Sequence, residues 1–136
     1  MHEFIQTSVP TGQRFNVRYE NRMGYSFAKI DGPEDSLEIS LAYWQEVAAE
    51  CERRKVTRLL VVDQLQGEPL GLAAIEALIK GWAGTGLEQV QTAFVELDAI
   101  NIAFMEHGQI FANENGFMTR VFTEFDEAER WLRYGS

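Results

Sequence analysis

The chain has 136 residues, of which 46% are hydrophobic and 24% are charged, and its formal net charge is −9. This composition is typical of one globular domain that buries roughly two-thirds of its unfolded surface. We expect no nucleic-acid partner, because binding to phosphates requires a basic surface. No apolar run approaches the ~20 residues that span a bilayer. The N-terminus also lacks the features of a signal peptide, so we expect neither membrane insertion nor secretion.

The single cysteine, Cys51, cannot form an internal disulfide. This favours a reducing compartment and hence a cytoplasmic location. Cys51 shares helical spacing with apolar residues such as Val47 and Ala48. The spacing predicts that Cys51 packs in the core as a small hydrophobic side chain and is not a nucleophile.

The first predicted elements follow a segment, residues 1–13, whose pattern favours no particular structure. Residues 14–20 alternate in polarity and predict a strand, residues 21–24 a turn, and residues 25–31 a second strand, which together make a hairpin. A helix then begins near Asp35 or Ser36, either of which can cap it. Its apolar stripe includes Trp44.

Residues 59–62 are four consecutive apolar residues, which predict a strand covered on both faces, as in a central parallel strand. The pattern continues with a helix over residues 70–82, a strand over 88–96, a helix over 98–115, a strand over 117–122 and a terminal helix. The order β-β-α-β-α-β-α-β-α predicts an α/β fold. We expect one domain over residues 14–136, with a single mixed sheet of about five strands, the N-terminal hairpin plus parallel strands, and about four helices.

The opening hairpin, Trp44, the strand that ends at Asp63 and the tail at residues 120–132 (RVFTEFDEAERWL) form a pattern of core positions. Over residues 14–133 this pattern resembles the small bacterial STAS-like proteins related to the sporulation anti-sigma-factor antagonist. It resembles the CRAL-TRIO lipid-binding proteins more distantly. The resemblance implies a STAS-like fold and a regulatory role through protein binding, and it speaks to fold more strongly than to activity.

In STAS-like relatives, the loop after the central strand carries a serine or threonine whose phosphorylation breaks a complex. Between Arg58 and Gly84 this chain has no serine, threonine or tyrosine, so that switch cannot operate here. The resemblance then implies a non-enzymatic interaction module that binds an unidentified protein partner or a second copy of itself. The expected interaction loop consists of Asp63, Gln64, Leu65, Gln66, Gly67, Glu68, Leu70 and Gly71.

The third predicted helix is more apolar than one buried stripe requires. Burial against the sheet is the default interpretation, and the alternative is a secondary surface for a second copy or another protein. The candidates for that surface are Phe104, His107 and Phe111. His107 lies beside Glu106, but adjacent helical residues point in different directions, so we expect a surface or capping role for it.

Two other functions stay open. The chain could carry or sense a small apolar ligand, although its length leaves room for a shallow groove rather than a closed chamber. It could also be an acid-dependent enzyme with Mg²⁺ at Asp63, Glu96 and Asp98, because ligands bind beyond the carboxyl ends of parallel strands. The simpler interpretation is that Asp98 caps a helix and that Asp63 ends a strand in solvent. We therefore expect no metal and no other cofactor.

Overall fold

A computed structural model describes the backbone of residues 3–6 and all of residues 14–135. Six strands form one mixed sheet and are hydrogen-bonded in their order along the chain. The first three are antiparallel neighbours, and every later pair is parallel. The predicted α/β fold, a hairpin followed by parallel strands, is confirmed. The strands are β1 (Glu3–Gln6), β2 (Asn16–Arg22), β3 (Tyr25–Gly32), β4 (Arg58–Leu65), β5 (Gln91–Val95) and β6 (Thr119–Phe122).

Within residues 14–135, four α-helices cover the sheet, as predicted: α1 (Leu37–Arg54), α2 (Leu72–Lys80), α3 (Ile102–Glu114) and α4 (Phe125–Tyr134). Helices α1, α2 and α3 pack on one face, and α4 packs on the other. Crossovers of one hand between successive parallel strands place the connecting helices on one side of a sheet. Among the described residues, no helix combines the length and the hydropathy that crossing a bilayer would require.

The strand beyond the predicted five is β1, which lies within the segment at residues 1–13. It pairs with β2, with Phe4 opposite Glu20 and Ile5 opposite Tyr19. A strand of four residues is too short to show a clear alternation, so this element depends on the partner strand that β2 offers. Residues 1–2 and 7–13 lie outside the described part of the chain.

Strand β4 occupies an interior position between β3 and β5. Its side chains alternate between the two cores: Leu59 and Val61 face α1, α2 and α3, whereas Leu60 and Val62 face α4. All four are at most 5% exposed. The prediction of a strand covered on both faces is therefore confirmed, and the chain after β4 emerges at the carboxyl edge of the sheet.

Helix α1 is capped by Ser36, whose hydroxyl accepts a hydrogen bond of 3.1 Å from the Ile39 N–H. This start directs Tyr43 and Trp44 toward the sheet, where both are almost completely buried. One turn from the helix end, Cys51 is also buried, and burial raises the pKa of its thiol to about 12. The predicted core role of Cys51 is confirmed, since a protonated, enclosed thiol is not a nucleophile.

Strand β6 forms one edge of the sheet, and α3 covers the backbone groups that this edge exposes. The Val121 N–H donates to Gln109 Oε1 at 2.7 Å, and the Thr119 N–H donates to Asn113 Oδ1 at 3.3 Å. Side chains one helical turn apart thus replace a neighbouring strand and discourage edge-to-edge pairing. The same two bonds fix the position of α3 over the sheet.

Candidate ligand-binding cavity

A cavity of about 600 Å³ lies between the sheet and the three helices on its α1–α3 face. Its exposed lining residues mark the opening: Gln66, Gly67 and Pro69 follow β4, and Leu97 and Asp98 follow β5. The opening therefore lies beyond the carboxyl ends of parallel strands, where ligands bind in open α/β sheets. The volume falls within the roughly 300–1,000 Å³ of small-molecule sites, and the cavity is partly open to solvent.

The inner end of the cavity is aromatic. Trp44 from α1 lies with its ring centroid 4.7 Å from that of Trp82, which follows α2, and 6.4 Å from that of Phe94 on β5. The ring of Tyr43 stacks on Trp44 at 5.4 Å. All four side chains line the cavity. Contacts of this kind hold large flat side chains in fixed positions, so the small accessible parts of these rings form a rigid end to the cavity.

The apolar walls come from α2 and α3, which touch through a glycine. A Cβ atom on Gly108 would lie 3.0 Å from Ile75 Cγ2, so the absence of a side chain allows the two helices to approach closely. Next to this contact, His107 Nε2 lies 2.8 Å from Glu76 Oε2 and links α3 to α2. The lining side chains on these two helices include Ile75, Leu78, Ile79, Met105 and Gln109.

Acidic side chains surround the outer part of the cavity. Asp63 lies near the end of β4, and Glu96 directly follows β5; the parallel register, Val62 opposite Val95, places them side by side. The other acidic lining residues are Asp31, Asp35 and Asp98. No lysine, arginine or histidine is present among the lining residues that the structure describes. The cavity thus combines an apolar inner end with a negatively charged opening.

Asp63 is held in position by two hydrogen bonds. Its Oδ2 accepts a hydrogen bond of 2.8 Å from the Tyr43 hydroxyl, and its Oδ1 accepts one of 3.0 Å from the Leu65 N–H. Burial raises the pKa of Asp63 from 3.8 to about 6, and the negative charges of Asp35 and Glu96 add to the increase. Asp63 therefore does not end its strand in solvent, and the simpler interpretation of this residue is wrong.

Asp35 and Glu96 are also partly enclosed. Asp35 accepts a hydrogen bond of 2.9 Å from the Ser40 hydroxyl, and Glu96 Oε2 accepts one of 3.1 Å from the Asp98 N–H. Burial is the main cause that raises the pKa of both carboxyl groups. Asp35, Glu96 and Asp63 therefore lie in one partly desolvated region, where the ionised form of a carboxyl group is destabilised.

Asp98 has the capping role that its position predicted. Its carboxylate accepts a hydrogen bond of 3.1 Å from the Ile100 N–H at the short 3-10 turn Ala99–Asn101, which leads into α3. Glu96 is bonded to the Asp98 N–H, whereas Asp63 is bonded to Tyr43 and Leu65. Within residues 14–135, no group of three histidine, cysteine, aspartate or glutamate side chains converges closely enough to hold a metal ion.

The predicted interaction loop lies at the rim of the cavity. Gln66, Gly67, Glu68 and Gly71 are exposed, whereas Asp63, Gln64, Leu65 and Leu70 are partly buried. The partly buried residues, with Gln66 and Gly67, line the cavity. The loop is held against the preceding connection, because the Gln66 N–H donates to the Gly32 carbonyl at 3.0 Å. The sequence predicts this loop as an interaction surface after the central strand and does not indicate that it borders a cavity.

The three residues of the predicted secondary surface have different environments. Phe104 is 36% exposed. His107 is paired with Glu76, and Phe111 packs partly against the core with Lys80 Nζ 6.0 Å from its ring centroid. Their spacing of three and four residues places them on one face of α3, where Phe104 is exposed and His107 and Phe111 are partly buried.

Sequence reasoning missed most of the cavity lining. The sequence pattern predicts Trp44 in the core stripe of the first helix and Trp82 at the end of the second helix, and it does not indicate that the two rings meet at a cavity. Asp35 was considered only as a helix cap. The sequence does indicate a ligand-binding site through Asp63 and Glu96, which lie at the carboxyl ends of neighbouring parallel strands.

Comparisons with known proteins give no further guide to this site. No model of a known protein family matches the chain. A search of curated proteins also found no match. The chemistry of the cavity is therefore the basis for the functional proposals that follow.

Proposed function

We propose that this protein binds a small organic molecule in the cavity between the sheet and helices α1, α2 and α3, as a carrier or sensor. The observation that carries the proposal is the space of about 600 Å³ that ends on the aromatic rings of Trp44, Trp82 and Phe94. Well-packed interiors hold few voids larger than a water molecule. A cavity of this size with an opening at the carboxyl edge of the sheet therefore suits a ligand.

The proposal places the protein in the cytoplasm. Its support is the single cysteine, whose thiol is buried and protonated, which fits a compartment that forms no disulfides. A ligand taken from this compartment would enter between the loop after β4 and the chain after β5.

Native mass spectrometry of the protein purified from its source cell tests the proposal. We expect a retained ligand as a discrete added mass, lost on denaturation. Met105→Trp enlarges a lining side chain on α3 and should reduce retention at least tenfold. Ile110→Trp is the matched control, because Ile110 is on the same helix, is 59% exposed and does not line the cavity.

Absence of any added mass from the unaltered protein would contradict the proposal, as would equal retention by the Met105→Trp variant. A compound identified in this way should also stabilise the fold. At a free concentration one hundred times its dissociation constant, the free energy of unfolding should rise by about 2.7 kcal/mol.

A second candidate function, a STAS-like interaction module, is favoured by exposed apolar side chains beside the same opening. Leu72 at the start of α2 is 45% exposed, Leu97 after β5 is 60% exposed, and Ile100 before α3 is 78% exposed. Together with the loop after β4, they would form a surface for a protein partner or a second copy, since exposed apolar side chains near one another mark interaction sites.

Size-exclusion chromatography with light scattering, and a pull-down from the source cell, test this second candidate. We expect a dimer or a specific partner that is lost in a variant with Leu97→Ser and Ile100→Ser. The control is Met23→Ser, because Met23 is 75% exposed in the turn between β2 and β3. A monomer that captures no partner would refute the interaction module and leave the ligand-binding proposal intact.

A further inference from the structure

We infer that the ligand is an organic cation, with an ammonium-type head group beside Asp63 and Glu96 and an apolar body directed toward Trp44 and Trp82. This inference rests on the proposed ligand-binding function and adds the chemical class of the ligand. It depends on how charge and apolar surface are arranged along the cavity.

The first support is the unbalanced charge of the lining. Five carboxylates line the cavity and no basic side chain does so in the described part of the chain. The ion pairs of Arg14, Arg22, Arg53, Arg54 and Arg133 involve glutamates that do not line the cavity. A positively charged ligand would therefore balance the negative charge of the lining, which no described lining residue neutralises.

The second support is the orientation of Asp63. Its two hydrogen bonds come from neutral donors, the Tyr43 hydroxyl and the Leu65 N–H. An ionised carboxylate can accept about four hydrogen bonds, so acceptor capacity remains for a donor in the cavity. An ammonium group carries only donors, and its hydrogen bonds to a carboxylate are the strong, charge-assisted kind.

The third support is the position of aromatic rings next to this carboxylate. The Tyr43 ring is joined to Asp63 through its hydroxyl and stacks on Trp44. The lining therefore passes from a carboxylate to aromatic rings over the length of one tyrosine side chain. A ligand with an ammonium head and an adjoining apolar body matches this order, because the head contacts Asp63 and the body contacts the aromatic side chains.

The same arrangement argues against anionic ligands. A carboxylate or phosphate head group would lie near Asp35, Asp63 and Glu96, whose charges are already costly in this partly buried region. No described basic side chain lines the cavity to offset that repulsion. Fatty acids and phosphorylated metabolites thus fit the cavity poorly.

Isothermal titration calorimetry with matched compounds tests the inference. Three apolar bodies (phenylethyl, indolylethyl and decyl) are each used with an ammonium, a hydroxyl or a carboxylate head group, below any micelle concentration. We expect at least one amine to bind at least tenfold more tightly than its matched alcohol, and each carboxylate to bind more weakly than its alcohol. Amines that bind no better than the matched alcohols for all three bodies would overturn the inference.

Substitutions of the two carboxylates test where the ammonium head group binds. Asp63→Asn and Glu96→Gln should each reduce amine affinity at least tenfold while leaving alcohol affinity within twofold. Glu106→Gln is the control, because Glu106 is exposed on α3 and does not line the cavity. If both carboxylate variants bind the amines as tightly as the unaltered protein, the assigned position of the head group is wrong.

The pH dependence provides a further readout. The titratable groups that face Asp63 are Asp35 and Tyr43 on the α1 side and Glu96 after β5. A proton on Asp63 removes the charge that holds the ammonium group, so lowering the pH from 7 to 5 should weaken amine binding about tenfold for a carboxyl group with a pKa of about 6. Alcohol binding should not change. Equal pH dependence for amines and alcohols would contradict a role for this charge.

The cation inference and the proposed function can fail separately. Alcohols or carboxylates that bind best, or a neutral or anionic compound retained in native mass spectrometry, would overturn the cation inference and support the ligand-binding function. Failure of every compound to bind, together with no retained mass, would overturn both.

Discussion

Asp63→Asn should make the protein more stable at neutral pH, although it removes a hydrogen-bonded side chain. Burial raises the pKa of Asp63 from 3.8 to about 6 in the folded protein. The difference corresponds to a destabilisation of about 3 kcal/mol when the group is charged. Asparagine is neutral at every pH, and its single carbonyl oxygen can replace one of the two acceptor oxygens. Loss of the other bond costs about 1 kcal/mol, so the expected net gain at pH 7 is about 2 kcal/mol.

The sign of the pH dependence follows from the direction of the pKa. The folded protein binds the Asp63 proton more tightly than the unfolded chain does, so the destabilisation is present above pH 6. Most of it is relieved as the pH falls from 6 to 4, between the folded and unfolded pKa values. The advantage of Asp63→Asn should therefore be largest near pH 7 and should disappear near pH 4.

Urea denaturation at pH 7 and at pH 4.5, followed by far-UV circular dichroism, measures both quantities. Glu106→Gln on the exposed side of α3 is the control and should change the free energy of unfolding by less than about 0.5 kcal/mol. An Asp63→Asn variant that is no more stable than the unaltered protein at pH 7 would refute the argument. Equal effects of the substitution at both pH values would refute it as well.

Two further pairs of substitutions test the packing that shapes the rim and the sheet. Gly32→Ala should destabilise the protein by about 1–3 kcal/mol in the same denaturation assay, because its Cβ would lie 2.7 Å from the Arg14 carbonyl oxygen. Gly71→Ala, which meets nothing within 4 Å, should be nearly neutral, and equal effects would show that the close approach is unimportant. Leu60→Ala should cost about 2–5 kcal/mol, because Leu60 is fully buried, whereas Leu72→Ala, at a 45% exposed position, should cost less than 1 kcal/mol. Similar losses for the two leucine variants would contradict the interior position of β4.

Part of the candidate ligand-binding site could be predicted from the sequence. Asp63, Glu96 and Asp98 could be placed at one edge of the sheet, because successive parallel strands all end there. Their individual environments could not be predicted: Asp98 caps a turn, whereas Asp63 is enclosed and bonded to Tyr43. Tyr43 precedes Asp63 by twenty residues and belongs to a different element, so only the packing of α1 on β4 creates this pair.

The amino-acid sequence by itself determined the α/β class and the interior position of β4. Those features follow from local patterns: residues 59–62 are apolar without interruption, and the helical segments repeat apolar residues at helical spacing. These patterns can be recognised in the sequence because the buried face of a helix or strand is formed by residues that are close together along the chain.

Strand β1, the cavity and the environment of the acidic side chains that line the cavity could be determined only from the tertiary structure. Strand β1 forms because β2 offers an edge, and the cavity forms because α2 and α3 meet at Gly108 while Trp44 and Trp82 meet below them. These contacts join residues that are far apart along the chain, so no local periodicity encodes them. Burial that raises the pKa of a carboxyl group is likewise a property of the assembled neighbours and not of the residue.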